Sequence, residues 1–328
     1  MQDSIKQNKN QGIKALNRFM IKRISVYIIL VLMIVLNVHP LSAQEVEESL
    51  AFKTIQGFIK HPENQVRLNS VFVISNLPSN LAVPLLQQTL ADEDVWVRVA
   101  SVINIFNIDG NKSIPVLKAA VYDSDPRVKM ACLWALSFSD ENSVIDVFKD
   151  LINDNHVQVR IMAAWALGNH GNSLAVPVLI DALDDPDSLV KIEIARALAK
   201  VGDGSIAPAL KIMLEDENPE VAGAYIRLIA KIAGTDALKL IINYTKSKKS
   251  KIRAAVLEAF AFIGDDTILI NVEEALNDSD SEVRAKAAYT LGLLGSKKSI
   301  KSLKKAINDS DPQVALNASV ALLNIKSR

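Results

Sequence analysis

Residues 277–295 read NDSDSEVRAKAAYTLGLLG, and residues 153–171 read NDNHVQVRIMAAWALGNHG on the same spacing. With the aliphatic residue before the basic one as the ruler, Val66, Val97, Val128, Val159, Val190, Val221, Ile252, Val283 and Val314 follow at steps of 31 without an insertion. A fixed period of this length marks an array in which each unit is one supersecondary hairpin.

Eight positions beyond the ruler, every unit again carries a large apolar residue, from Ile74, Ile105 and Leu136 through Phe260, Leu291 and Leu322. That spacing lies on one helical face, with small residues such as Ala163, Ala166, Ala287 and Ala318 beside it. This is the first helix of each unit, helix A. Asp94, Asp125, Asp187, Asn218, Asp280 and Asp311 stand where N-caps belong, and Pro126, Pro219 and Pro312 occupy the first helical position, where a missing amide hydrogen costs nothing. Gly171, Gly202, Gly264 and Gly295 share a column suited to a left-handed C-cap.

A shorter helix B is expected to open at Pro84, Pro115, Pro177 and Pro208, with Leu86, Leu117, Phe148, Leu179, Leu210, Ile241, Val272 and Leu303 as its buried column. Residues 46–60 resemble a lone B helix and residues 312–325 a lone A helix, so half-repeats are expected to flank about eight full repeats. One hairpin is too small to bury its own apolar face. Neighbours must therefore stack.

Composition agrees with this reading. The 328 residues are 49% hydrophobic but only 5% aromatic, with 12 Gly and 11 Pro, which suits closely packed helices better than strands. The N-terminus departs from the pattern. Residues 24–38, ISVYIILVLMIVLNV, follow Lys22 and Arg23 and precede a small residue, Ala43, which is the outline of a secretory signal peptide over residues 1–43. Met20 is a candidate true start, and the alternative is an uncleaved anchor, for which this run is short against the roughly 20 residues that span a bilayer. Residues 44–328 are then the repeat domain of an exported protein, periplasmic or secreted.

Without residues 1–43 the chain keeps 31 basic and 36 acidic residues, a net charge of −5. A mildly acidic protein has no global attraction for nucleic acid. The single Cys132 excludes an internal disulfide and any CxxC site. No membrane span is expected once the signal is removed.

The outline [DN]-x-[DN]-x-x-V-R-x-x-A-x-x-A-L-x-x-x-G, as in the two stretches quoted above, resembles the HEAT-like repeats named after the phycobilisome lyases, over about residues 45–328. The resemblance implies an all-α, right-handed, armadillo-like α-solenoid. It does not fix a function, since scaffolds, chromophore-lyase subunits and enzymes share the fold. Eight pairs stacked at 8–10 Å per packed helix would extend on the order of 80 Å.

Two polar columns run through the pattern. Asp92, Asp123, Asp154, Asp185, Asp216, Asp278 and Asp309 precede the ruler by five, while Arg67, Arg98, Lys129, Arg160, Lys191, Arg253 and Arg284 follow it by one. A catalytic site is made once. Regular recurrence instead points to a ladder of charge-assisted bonds that fixes the turns and the angle between repeats. Ala222 and Ser247 interrupt the ladder, and that junction is expected to be the most flexible.

Catalysis would need an exception to the repeat. The iron-dependent deoxyhypusine hydroxylases, which this outline also resembles, carry His-Glu ligand pairs, and this chain has none; His39 lies in the signal region and His61, His156 and His170 fall at expected turns. No catalytic residue, cofactor or metal site is therefore assigned, the alternative being an enzyme or enzyme subunit of chromophore-lyase or hydroxylase type.

One surface changes character along the array. Offsets −1, +3, +6 and +10 from the ruler project away from the core as an outer, convex ridge. In repeats five to eight it reads as charged, with Glu193, Arg196, Lys200, Glu220, Arg227, Lys231, Lys251, Glu258, Glu282 and Lys286. In repeats one to four it carries Phe72, Trp96, Ile103, Trp134, Phe138, Met162 and Trp165. These seven residues are the candidate binding surface for another protein. The competing expectation is that offset +6 leans sideways and packs between A helices.

Overall fold

A computed structural model describes residues 49–327, and every regular element among them is helical, with no strand. The apolar run at 24–38 and the expected cleavage point lie outside the described residues. The helices fall into two compact units, one ending at Asp109 and one beginning at Gly110.

The first unit contains α1 (Leu50–Phe58), α2 (Asn64–Ile74), α3 (Ser79–Thr89) and α4 (Val95–Asp109). Helix α1 is the expected lone B helix, started by Ser49, whose side chain accepts the Phe52 amide. Helix α4 packs against both α2 and α3. Ile74, Leu86, Val97 and Ile105, the residues the periodicity assigns to the core, have no exposed surface. Pro84 does not open its helix, because α3 starts five residues earlier, after Pro78. The proline is tolerated there because Asn80, whose carbonyl loses its amide partner, and Pro84 itself both lie on the exposed side.

The second unit contains α5 (Ile114–Ala120), α6 (Pro126–Leu136), α7 (Ile145–Leu151), α8 (Val157–His170), α9 (Ala175–Asp181), α10 (Ser188–Val201), α11 (Pro219–Ala233), α12 (Leu238–Ile241), α13 (Ser250–Ile263), α14 (Leu269–Ala275), α15 (Ser281–Leu294), α16 (Ile300–Ala306) and α17 (Pro312–Ser327). The A helices α6, α8, α10, α11, α13, α15 and α17 stack in chain order, each against the next. The B helices are short and most are entered through a 3-10 turn; in repeats five and six the B segment is largely 3-10, at Ala209–Glu215 and Ile242–Lys246. The B column from Leu117 through Phe148, Leu179, Leu210, Ile241 and Val272 to Leu303 is wholly buried. Each such side chain contributes about 1.5–3 kcal/mol of apolar burial.

The A helices approach closely because small residues line their contacts. A Cβ on Gly168 would stand 2.7 Å from the Ala197 Cα, and one on Gly292 would stand 2.9 Å from the Ala321 Cα. Gly171, Gly264 and Gly295 take the left-handed C-cap, at φ 77, 71 and 70°. Gly202 does not: its φ is −87° and ψ 163°. Glycine is needed there for space, since a Cβ would meet Ile206 Cδ1 at 2.6 Å and the Leu198 carbonyl at 2.8 Å.

The polar columns form the expected ladder, and every rung crosses 25 residues from one repeat to the next. In the first unit Arg67 donates from Nε to Asp92 at 2.7 Å. In the second, the basic groups of Lys129, Arg160, Lys191, Arg253 and Arg284 reach Asp154, Asp185, Asp216, Asp278 and Asp309 at 2.5–2.8 Å. Each of these aspartates also accepts the backbone amide two residues on, and that next residue usually caps helix A. An arginine does more than a lysine here. Arg160, Arg253 and Arg284 fork onto the carboxylate with Nε and one terminal nitrogen, while the other terminal nitrogen holds a carbonyl of the arginine's own turn.

At Ala222 the rung is missing, as the sequence indicated. Lys249 of the following turn takes over half of its work, donating to the Glu217 carbonyl at 2.6 Å and the Asp216 carbonyl at 3.4 Å. Those are the turn carbonyls that an arginine at 222 would hold, by the pattern of Arg160 and Arg284.

Candidate partner-binding surface

The seven sequence-predicted residues lie in both units. In the first, Phe72 on α2 and Trp96 in the first turn of α4 are exposed, Trp96 by 53%, and Ile103 is half-buried. In the second, Trp134 on α6 and Trp165 on α8 occupy equivalent positions, and Phe138 stands one turn beyond Trp134.

Those three rings form one cluster. The Phe138 ring meets Trp134 edge-to-face at 5.2 Å between centroids and Trp165 edge-to-face at 6.4 Å, so it bridges two adjacent A helices. Edge-to-face contact sets the positive rim of one ring against the negative face of another and fixes the group as a unit. Lys200, on α10, places its ammonium 6.0 Å from the Trp165 ring centre, extending the group onto a third A helix as a cation–π contact. Trp134, Trp165 and Met162 are half-buried, whereas Phe138 is 48% exposed. Trp134 and Trp165, at offset +6, are thus neither fully buried nor fully exposed.

Beyond Lys200 the same ridge becomes ionic. Arg196 pairs with Glu193, Arg227 and Lys286 with Glu258, and Lys251 with Glu220, at 2.5–3.2 Å. The last three pairs link successive repeats, two of them around the junction that lacks a rung. The ridge is not uniformly charged in repeats five to eight, however: Phe262, Tyr289 and Leu293, at offsets +10, +6 and +10, are exposed there.

Among the described histidines, His61 Nδ1 accepts the Glu63 amide and His156 contacts Asp154 at 3.0 Å, while the His170 ring lies edge-on to buried Phe148 at 6.2 Å with neither ring nitrogen hydrogen-bonded. Among the described residues no group of three or more His, Cys, Asp and Glu side chains is arranged to hold a metal ion. Cys132 is buried, and burial pushes its thiol well above the ordinary range, which keeps it protonated. No helix among the described residues is long and apolar enough to cross a membrane.

The chain shares its fold with solved structures at low sequence identity. It is similar to Kap95p in a complex with RanGDP, with a TM-score of 0.65 at 14% identity over 88% of this chain, and to the Kap95:Nup1 complex, with 0.64 at 15% over 88%. The chain spans 46% of each of those proteins, about half their length. It is also similar to the complex of CpcE and CpcF of phycocyanin lyase from Nostoc sp. PCC7120, at 22% identity over 65% of this chain and 94% of that one, but with a TM-score of 0.41. A comparison with proteins of curated function finds no match. The family model for HEAT repeats matches residues 53–137, 145–216, 206–275 and 269–328. Stacked 31-residue hairpins, inter-repeat rungs and this match together make the chain a member of the HEAT-repeat family.

Proposed function

We propose that this chain is a noncatalytic, exported scaffold that binds another protein through its aromatic ridge, and that its repeats are of the phycobilisome-lyase type. The observation that carries the proposal is the Trp134–Phe138–Trp165 cluster, three rings fixed against one another across adjacent A helices with Phe138 exposed. Three rings of 150–250 Å² each, about half accessible at Phe138 and about a tenth to a third at each indole, offer roughly 100–300 Å² of apolar contact. A stable interface needs about 800 Å² per partner, so the cluster serves as the anchor within a larger footprint. Rigid aromatic anchors suit that role because little side-chain entropy is lost when they are covered.

A noncatalytic reading is supported by where the ionisable columns go: the aspartates and arginines that could be mistaken for an acid–base array are engaged in rungs and turn bonds. The Kap95p structures named above involve protein partners, RanGDP and Nup1, which agrees with a protein-binding role for a solenoid of this fold. Export to the periplasm or medium rests on the outline of residues 1–43.

Capture of a partner from the producing compartment tests the reading. Phe138→Ser and Trp165→Ala should each abolish capture while the helical signal and urea midpoint show a folded array. If both variants bind as the parent does, the surface is not the site. Protease protection in intact cells tests export, and a chain found entirely inside the cytoplasm overturns that part.

A further inference from the structure

Between α11 and α13 both members of the rung are replaced: Ala222 stands where the basic residue belongs and Ser247 where the aspartate belongs. Every other junction between successive A helices of the second unit has its rung, with 7–21% of each side chain exposed. At this one the links lie in water. Lys251 pairs with Glu220, 59% and 55% exposed, Arg227 pairs with Glu258, 47% and 34% exposed, and Lys249 donates to the Glu217 carbonyl. The B layer is also weak here, because the four residues of α12 pass into the 3-10 segment Ile242–Lys246, whose hydrogen bonds have poorer geometry than those of an α-helix. On the other side α11 and α13 stay in contact, the Ala255 Cβ lying 3.3 Å from where a Gly223 Cβ would stand. Close packing on the A side with a weak tie on the B side is the arrangement of a hinge.

We propose that this junction is a joint set by ionic strength: the exposed pairs hold it closed in dilute salt, and screening lets its B side open about the Gly223–Ala255 contact, bending the second unit between repeats six and seven. Charges in water are screened over about 10 Å at 0.1 M salt and about 3 Å at 1 M, whereas buried pairs are screened much less. Salt therefore acts on this junction and spares the ones held by rungs. Exposed pairs are individually weak, so the closed and open forms differ little in free energy and both are populated.

Paired spin labels on introduced cysteines read the bend in the full chain, since Cys132 is buried. Asp181→Cys with Glu274→Cys spans the junction and Asp146→Cys with Ile212→Cys does not, and all four sites are exposed. From about 0.05 M to about 1 M NaCl the 181–274 distances should lengthen and spread while the 146–212 distances stay as they are. Over the same range hydrogen exchange at the Ile252 and Arg253 amides, which bond the Lys249 carbonyl, should quicken about 10-fold, and at the Arg284 amide less than about 2-fold. Glu220→Gln with Glu258→Gln should show the high-salt distances already in dilute salt. Ala222→Arg with Ser247→Asp and Lys249→Ser restores a rung and clears the ammonium from its path, and should make the 181–274 distances indifferent to salt. Circular dichroism checks folding, and the glutamine variants decide if the restored rung does not fold. Distances at 181–274 unmoved by salt, an equal response at 146–212, glutamine variants that behave as the parent does, or a folded restored rung that still responds to salt would each overturn the proposal.

Discussion

Replacing Arg253 tests how the repeats are held in register. Its Nε and one terminal nitrogen reach the two oxygens of Asp278 at 2.7 and 2.6 Å, and the other terminal nitrogen holds the Ser247 carbonyl at 2.7 Å. Both side chains are largely buried, with 14% and 12% of their surface exposed. Arg253→Ala removes three charge-assisted bonds and leaves the Asp278 carboxylate with its amide donor but without its countercharge. Hydrogen bonds to charged groups are worth about 1.5–3 kcal/mol each, and orphaning one member of a buried pair costs about 3–5 kcal/mol. Residual solvent access reduces that, and about 3 kcal/mol of local destabilisation is expected. Arg253→Lys keeps the charge but loses the fork and the carbonyl bond, and should cost about half as much. Hydrogen exchange at the Asp280 and Glu282 amides is the assay, because a repeat array need not unfold in one step and a single global midpoint could hide the effect. Equal exchange in the alanine and lysine variants would show that the fork geometry does no more than a point charge. A change below about 0.5 kcal/mol in both would refute the rung as a source of stability.

Lys191→Arg should stabilise by about 1 kcal/mol, since a guanidinium would add a second bond to Asp216 and could reach a carbonyl of its own turn; a urea titration reads it, and no gain would count against the asymmetry drawn between lysine and arginine. Acid should loosen the stack from the turns. The bonds from Lys129, Lys191 and Arg253 together with the cap amides outweigh burial and hold Asp154, Asp216 and Asp278 below the usual carboxylate range, and the Arg284 bond does so for Asp309. A carboxylate depressed in the folded state contributes stability that is full above its unfolded value of about 3.9 and is lost as pH falls through the folded value. The urea midpoint should therefore be flat above about pH 5 and decline below about pH 4, and a midpoint unchanged down to pH 2 would contradict this. Gly168→Val should cost about 2–4 kcal/mol by forcing α8 and α10 apart, and a thermal shift no larger than that of a surface variant would show the approach to be looser than 2.7 Å.

The period made most of the fold legible. The buried columns, the N-caps and the rung partners recur at a constant offset, so nine copies average out the noise of any one. What the period could not carry is what differs between copies. Gly202 shares a column with three left-handed glycines but is required by Ile206, a contact that only the turn's own path creates. Pro84 reads as a helix start because its counterparts do, and only the preceding Pro78–Ser79 step moves the boundary. Lys249 replaces part of a missing arginine from 27 residues away, outside the offset at which a rung would be sought. On the surface, the helical wheel placed Trp134, Phe138 and Trp165 on one ridge. It could not give Lys200 over Trp165, which depends on the spacing between helices.

Site-specific photo-crosslinking in the producing cell tests the proposed scaffold most directly, with a photoreactive side chain at position 138 and, as control, at position 196 on the charged part of the same ridge. A discrete protein adduct at 138 that is absent at 196 is the predicted result. No adduct at 138, or the same adducts at both positions, would contradict the account.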